Sequence, residues 1–360
     1  MRPPIALLAA ALACVLALWT AASEAATRVA LLPFENVSGH PKSPAIIMPL
    51  IGLALRERGY EVVGQDALEP FLFRRRVRAT SKLSREELAA LGREFDVPLA
   101  LVGSVDLFAD SPGNPQWGVS GRLLETGSGA ILWADAAGFT GDDFTGFLGL
   151  GTITSPDDLA ARTVQELFRG LPPGGTPVEA LRGSRAARPR ARNVPGGVFR
   201  DPRLETEPPK RVAVLPFENG TDRRGAALIV DDLMVVGLFQ AGRTAVADPG
   251  EVHAALKALG LAPYGGIDLE ALRGIGDKAG VDAVILGRVE EYNEGLRPGA
   301  SPSPSIALEA RMLETKTGKI LWMGSHAARG EEFQVVLEFG KIKSMVPLAM
   351  QVIADLIATM

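Results

Sequence analysis

Two stretches of the chain carry the same succession of apolar and polar segments. Each begins with a continuous apolar run that stops at a proline, which is typical of a strand covered on both faces of a sheet. Each continues with an apolar helix, a short strand, a second helix, three longer strands and a closing amphipathic helix. The order β-α-β-α-β-β-β-α predicts an α/β fold made of two tandem homologous domains, each a mixed β-sheet packed with helices.

The boundaries of these elements follow from periodicity, capping residues and turn glycines. Ser84 and Glu87 have the spacing of a capping box, and Asp268 is a good N-cap at the matching place in the second stretch. The predicted elements of the first stretch are 29–32, 45–58, 61–63, a helix from 84, 99–108, two strands joined at 127–129, and 157–168. Those of the second are 212–215, 226–239, 244–246, a helix after 268, 283–292, two strands joined at 316–318, and 346–360.

The two stretches also match residue by residue. Segment 28–36 recurs at 211–219 with eight of nine residues identical, and 122–133 recurs at 311–322 with eight of twelve. Two matches in the same order predict a tandem duplication. We therefore expect one domain at 26–170 and a second at 210–360.

The segment between them, 171–209, has a different composition. It holds eight prolines and the arginine-rich run 185–192, and few of its residues are apolar. Such a composition predicts an extended, basic linker. The positive charge could bring the linker to an anionic membrane surface, or the linker could be a solvated spacer.

The amino terminus has the composition of an export signal. Met1 and Arg2 precede an apolar run over 5–22, and small residues then surround Ala25. This pattern predicts a secretory signal peptide over 1–25 and a periplasmic mature protein. Lipidation at Cys14 and an uncleaved anchor are two alternatives that leave the remainder exported as well.

The composition argues against several classes of function. A net charge of −4 argues against a nucleic-acid binder. Cys14 is the single cysteine, and His40, His253 and His326 are far apart and have no counterparts in the other unit. The sequence therefore predicts no metal site, no cofactor and no catalysis. A hydrolytic or ligand-binding enzyme with its site at the carboxyl ends of the strands is the alternative.

The repeated motifs resemble a family of bacterial envelope domains. The segments that carry this resemblance are VAVLPFEN at 212–219, AVILGRV at 283–289 and RMLETKTGKILW at 311–322, together with their counterparts in the first unit. The family includes the amino-terminal domain of the TolB periplasmic protein, the curli-secretion channel lipoprotein and lipoproteins that activate peptidoglycan synthases. The resemblance implies an interaction or scaffolding module that binds an outer-membrane, secretion or peptidoglycan-synthesis partner. The acylated cysteine that family lipoproteins carry before the first strand is absent here.

Two groups of residues are candidates for partner binding. The first group follows the opening strand of each unit, at the end where α/β sheets usually place ligands; it consists of Glu35, Asn36, Glu218 and Asn219. The second is the glycine-rich apolar loop that contains Phe144 and Phe147, because exposed apolar surface marks contact sites. Turn formation and burial are the structural alternatives.

Other notable residues favour a structural interpretation. Paired acids such as Asp231 and Asp232 are expected to be solvated helix starts. Trp133 and Trp322 stand beside Ile and Leu in a repeated strand, which favours a position in the core.

Overall fold

A computed structural model describes residues 26–145, 151–182, 191–262, 266–296, 302–335 and 340–360. Two mixed sheets, of six and seven strands, each pack against helices. The predicted α/β class and its two-unit organisation are confirmed. No helix in the described part of the chain is long and apolar enough to cross a bilayer.

The first unit contains one mixed sheet. Its strands lie in the order β3-β1-β4-β5-β6, and β2 adds to β4. Strand β1 pairs in parallel with β3 and β4, whereas β4, β5 and β6 form an antiparallel meander. The elements are β1 (Arg28–Leu31), β2 (Glu35–Asn36), α1 (Ser43–Glu57), β3 (Glu61–Val63), α2 (Gln65–Arg74), α3 (Arg85–Phe95), β4 (Leu99–Ala109), β5 (Gln116–Glu125), β6 (Ile131–Thr140) and α4 (Pro156–Leu167).

The second unit repeats this topology, and its sheet has the strand order β10-β8-β11-β12-β13-β7, with β9 on β11. The remaining elements of the chain are α5 (Val178–Leu181), β7 (Gly196–Arg200), α6 (Arg203–Thr206), β8 (Arg211–Val214), β9 (Glu218–Asn219), α7 (Ala226–Ala241), β10 (Ala245–Val246), α8 (Pro249–Ala258), α9 (Leu269–Ala279), β11 (Ala283–Asn293), β12 (Ser305–Glu314), β13 (Ile320–Arg329) and α10 (Met345–Ala358).

Local signals place most of these elements correctly. Ser84 and Glu87 form the capping box, and Asp268 caps α9 by accepting a hydrogen bond from the Ala271 amide. The hairpin glycines, Gly129 and Gly318, have φ values of 75° and 72°, which a side chain would disfavour. The predicted element order is incomplete, since α2 and α8 are additional helices. Each is only ten residues long, and α2 also contains Pro70 in its interior, which weakens its helical pattern.

The expectation of an extended linker is wrong for 191–209. Strand β7 pairs antiparallel with β13, with Phe199 opposite Met323 and Arg200 opposite Trp322. It covers what would otherwise be the edge of the second sheet, and an uncovered edge tends to aggregate. The arginine-rich stretch 183–190 lies outside the described residues.

The two units share one continuous core. Helices α1 and α4 cover one face of the first sheet, and α2 and α3 cover part of the other. The rest of that second face, on β4, β5 and β6, packs against α7 and α10 of the second unit. Because α7 and α10 also pack on their own sheet, they lie between the two sheets. Helices α8 and α9 cover part of the far face of the second sheet.

Candidate functional site

The repeated Pro-Phe-Glu-Asn motif is partly structural in both units. Phe34 and Phe217 are buried. The Asn36 side-chain amide donates to the His40 carbonyl oxygen at 2.8 Å, and Asn219 donates to the Arg223 carbonyl at 3.0 Å. Both asparagines therefore hold their own loops.

The two glutamates of the motif have different surroundings. Glu35 is half-buried and accepts hydrogen bonds from the Ser81 amide at 3.0 Å and its hydroxyl at 2.7 Å. Glu218 is exposed, and its carboxylate lies 3.7 Å from the Arg288 guanidinium. The structure thus separates two residues that the sequence treats as equivalent.

The remaining predicted site residues lie apart from the motif. Phe144 is half-buried, 5.3 Å from the ring of Phe139, and the Arg162 guanidinium lies 5.4 Å from its centre. Phe147 and Cys14 lie outside the described residues. Trp133 and Trp322 are fully buried, which confirms their place in the core.

Sequence analysis missed a buried arginine, Arg122 on β5. Its side chain is 1% exposed. Nη1 donates to Asp232 on α7 at 2.7 Å, and Nε donates to Asp248, the N-cap of α8, at 3.1 Å. Nη2 donates to the Ser81 carbonyl at 2.9 Å. An arginine of the first unit is therefore held by two carboxylates of the second.

The buried Arg122 guanidinium keeps its positive charge. Burial opposes the charged form of Arg122, but the carboxylates of Asp232 and Asp248 raise its pKa above the ordinary value. A nearby acid behaves differently, since burial raises the pKa of Asp106 to about 7. Ser104 donates to one Asp106 oxygen at 2.5 Å, and the other oxygen has no hydrogen-bond partner among the described residues.

The expectation that Asp231 and Asp232 are solvated is wrong. They lie in the middle of α7, which is buried on nearly all sides between the two sheets. Asp231 accepts a hydrogen bond from the Phe217 amide at 2.8 Å, and burial raises its pKa well above the ordinary value. Asp232 is the partner of Arg122.

Small residues let α10 approach the first sheet closely. A Cβ on Gly118 would lie 2.7 Å from Val346, and one on Gly138 would lie 2.8 Å from the same side chain. We call this side of β4, β5 and β6 the covered face; it consists of Ser104, Gly118, Ser120, Arg122, Ala136 and Gly138.

The second sheet has the corresponding face without a cover. Alignment of the repeats and the strand registers matches the covered face, position by position, with residues that we call the open face. The open face consists of Arg288, Ala307, Glu309, Arg311, Ser325 and Ala327. Of these only the two alanines and the serine are small, and none is buried.

Arg311 is the counterpart of Arg122, and it is exposed. No described acid lies within ion-pair distance of its guanidinium, whereas Arg288 pairs with Glu290 at 3.0 Å. Arg311 lines a cavity of about 180 Å³, together with Leu215, Pro216, Glu218, Ile267 and Leu286. This cavity joins the predicted strand-end site of the second unit to the open face.

One sequence signal could have found this site. The repeat keeps the arginine at 122 and 311, but its carboxylate partners at 232 and 248 have no acidic counterparts in the first unit. An arginine conserved between repeats, with acids in only one of them, indicates a contact between the repeats.

Comparison with known proteins finds solved structures that are similar to part of this chain. No family model matches the chain, and no curated protein matches its sequence. A PelC dodecamer from Paraburkholderia phytofirmans is 18% identical over 42% of this chain and 87% of that chain, with a TM-score of 0.30.

Two further solved structures match over a third of the chain. Lipoprotein GNA1162 from Neisseria meningitidis is 23% identical over 33% of this chain and 81% of its own, with a TM-score of 0.28. The LpoB C-terminal domain from Salmonella enterica is 17% identical over 33% and 82%, with a TM-score of 0.23.

Proposed function

We propose that this chain is an exported, non-catalytic binding protein of the bacterial cell envelope. Its partner is an outer-membrane, secretion or peptidoglycan-synthesis component, and the open face is the surface that binds it. The signal-like segment 1–25 and the motif resemblance support export and the envelope setting.

One observation carries this proposal. The same sheet face occurs twice in the chain, and in the first unit it is fully used as a protein-binding surface for α7 and α10. In the second unit it is exposed, with Arg311 unpaired among the described residues and a cavity of about 180 Å³ beside it. A face that binds helices in one unit is a reasonable binding surface in the other.

The buried acid pair on α7 supports a structural role rather than catalysis. Perturbed pKa values mark catalytic clefts when the groups face a substrate-sized space. Asp231, whose pKa is raised by burial, instead borders a cavity of only about 40 Å³. Among the described residues, no cluster of His, Cys, Asp and Glu could hold a metal ion.

Site-specific photo-crosslinking in intact cells tests this function. A photoreactive residue at Ser325, on the open face, should give one discrete crosslinked protein. The same residue at Phe73, which is 83% exposed on α2 of the first unit, is the control and should not give that product. Equal products at both positions, or none from Ser325, would contradict the proposal.

Amino-terminal sequencing of the purified protein tests export. A first residue of Ala26 is expected, together with release of the protein in the periplasmic fraction. An intact Met1 or an acylated Cys14 would show that one of the other two interpretations of this segment is right.

A further inference from the structure

The covered face shows what this type of sheet binds. Besides Asp232 on α7, the segment that meets Arg122 is the start of α8, where Asp248 presents its carboxylate at 3.1 Å. Gly250 follows and lies so close to Leu83 that an added Cβ would be 2.0 Å from the Leu83 carbonyl oxygen. Glu251 then pairs with Arg85 at 3.0 Å. The bound element is thus an acidic helix start followed by a small residue.

The positions that match Arg122, Leu83 and Arg85 also lie together beside the open face. Arg311 corresponds to Arg122, and Ile267 corresponds to Leu83, since each directly precedes the N-cap of its helix. Both line the 180 Å³ cavity. Leu269, which is 39% exposed, stands where the first unit has Arg85. The second unit therefore offers an arginine, an apolar wall and an exposed leucine to an incoming chain.

We propose that the open face binds the acidic start of a helix on a different protein. The partner places a carboxylate on Arg311, a small residue against Ile267 and an apolar residue against Leu269. This inference rests on the proposed function and specifies the chemistry of its partner. The charge-assisted pairing of guanidinium and carboxylate supplies both affinity and register.

The approach is end-on. Arg288 and Glu309 replace the buried serines Ser104 and Ser120, so their longer side chains keep a helix from lying flat against the strands as α10 does on the first sheet. The cavity at the Arg311 end has a volume of about 180 Å³, which leaves room for an acidic side chain at the start of a helix. This geometry matches the way α8, rather than α7, meets the first unit.

A second copy of this chain does not offer Arg311 the pair of carboxylates that binds Arg122. The positions in the first unit that match Asp232 and Asp248 are Pro49 and Gly64. The acids of the second unit are already buried against Arg122. The two carboxylates that bind Arg122 are therefore not available to Arg311 of a second copy.

A peptide probe tests this inference on the full chain. The probe is a labelled, acetylated peptide that copies 247–258 and carries Glu251→Leu to suit Leu269; its matched control also carries Asp248→Asn. We expect saturable, salt-sensitive binding of the first peptide, with the control at least about tenfold weaker. Arg311→Gln should weaken binding by a similar factor, and Lys319→Gln, which removes an exposed charge outside the open face, should not.

The outcomes separate this inference from the proposed function. Equal binding of the two peptides, no loss in Arg311→Gln, or no saturable binding would overturn the carboxylate inference. Binding of phosphatidylglycerol vesicles through Arg311, in place of the peptide, would overturn it in favour of a membrane ligand. A Ser325 crosslink that persists unchanged in Arg311→Gln would keep the open face as the binding surface while rejecting the acidic partner. If Ser325 gave no crosslink in the otherwise unsubstituted protein, the proposed function itself would be rejected.

Discussion

The covered face and the open face lie on corresponding strands of the two units but differ in most of their side chains. Ser104 and Ser120 are each 1% exposed, whereas their counterparts Arg288 and Glu309 are exposed. The arginine is common to both faces, and it is buried between two carboxylates in one and solvated in the other. Small residues and a supplied pair of acids therefore convert a solvent-facing sheet into an internal interface.

The helices that cover the two sheets differ in the opposite sense: α1 of the first unit is exposed on its outer side, whereas α7 of the second unit is buried. Leu53 on α1 is 52% exposed, whereas its counterpart on α7, Val236, is fully buried beneath the first sheet. The units thus pack head to tail, so one helix layer and one sheet face remain uncovered. The exposed helix α1 has Pro49 where α7 has Asp232, so it has no acid to match the partner of Arg122.

The largest expected difference between the faces is in the loss of stability when the shared arginine, Arg122 or Arg311, is replaced. Arg122→Leu leaves Asp232 and Asp248 buried without a counter-charge, and breaking a buried ion pair in this way costs about 3–5 kcal/mol. The matched Arg311→Leu variant should lie within about 0.5 kcal/mol of wild type, since the side chain is exposed. Chemical denaturation of both variants measures this. Similar losses in the two would show that the covered face does not hold the units together.

Asp106 should give the covered face a pH dependence. Its folded pKa, raised by burial to about 7, lies above an unfolded value of about 3.9, so folding is favoured while the carboxyl is neutral. This contribution is complete below about pH 4 and is lost as the pH rises through 7. Relative to Asp106→Asn, the wild type should lose up to about 4 kcal/mol between pH 4 and pH 8.

The matched acid on the other sheet is Glu290, which is exposed. Urea denaturation at several pH values should show no such trend for wild type measured against Glu290→Gln. A flat difference between wild type and Asp106→Asn would mean that Asp106 is charged when buried.

A smaller loss of stability is expected when a larger side chain disturbs the close contact between α10 and the first sheet. Gly138→Val introduces atoms where a Cβ alone already lies 2.8 Å from Val346, and overpacking of this kind costs about 1–3 kcal/mol. Ala327→Val is the control at the matched exposed position and should be nearly neutral. A thermal-denaturation midpoint that falls equally in both variants would contradict close packing of α10 on the first sheet.

Local sequence patterns predict elements far better than they predict contacts between units. The Ser84 capping box and the glycine turns depend on neighbours a few residues away, and the structure has them as expected. The partners of Arg122 lie in the other unit, so no spacing along the chain reveals them. Strand β7 was missed for a related reason, because its exposed residues are ordered by pairing with β13 rather than by apolar burial.

The candidate site was predicted in part. The strand-end motif led to Glu218, which does line the cavity beside Arg311. It also led to Glu35, which the second unit covers, and to the asparagines, which hold their own loops. A single repeat cannot show which copy of a surface is covered, because that depends on how the two copies pack.

Cysteine labelling in cells tests most directly whether the open face is occupied by a partner. The chain has one native cysteine, Cys14, so the unsubstituted protein gives the background. Glu309→Cys, on the open face, should react rapidly with a thiol reagent in the purified protein and slowly in intact cells. Ser120→Cys, at the matched covered position, should react slowly in both. Equally rapid labelling of Glu309→Cys in cells and in the purified protein would contradict the account.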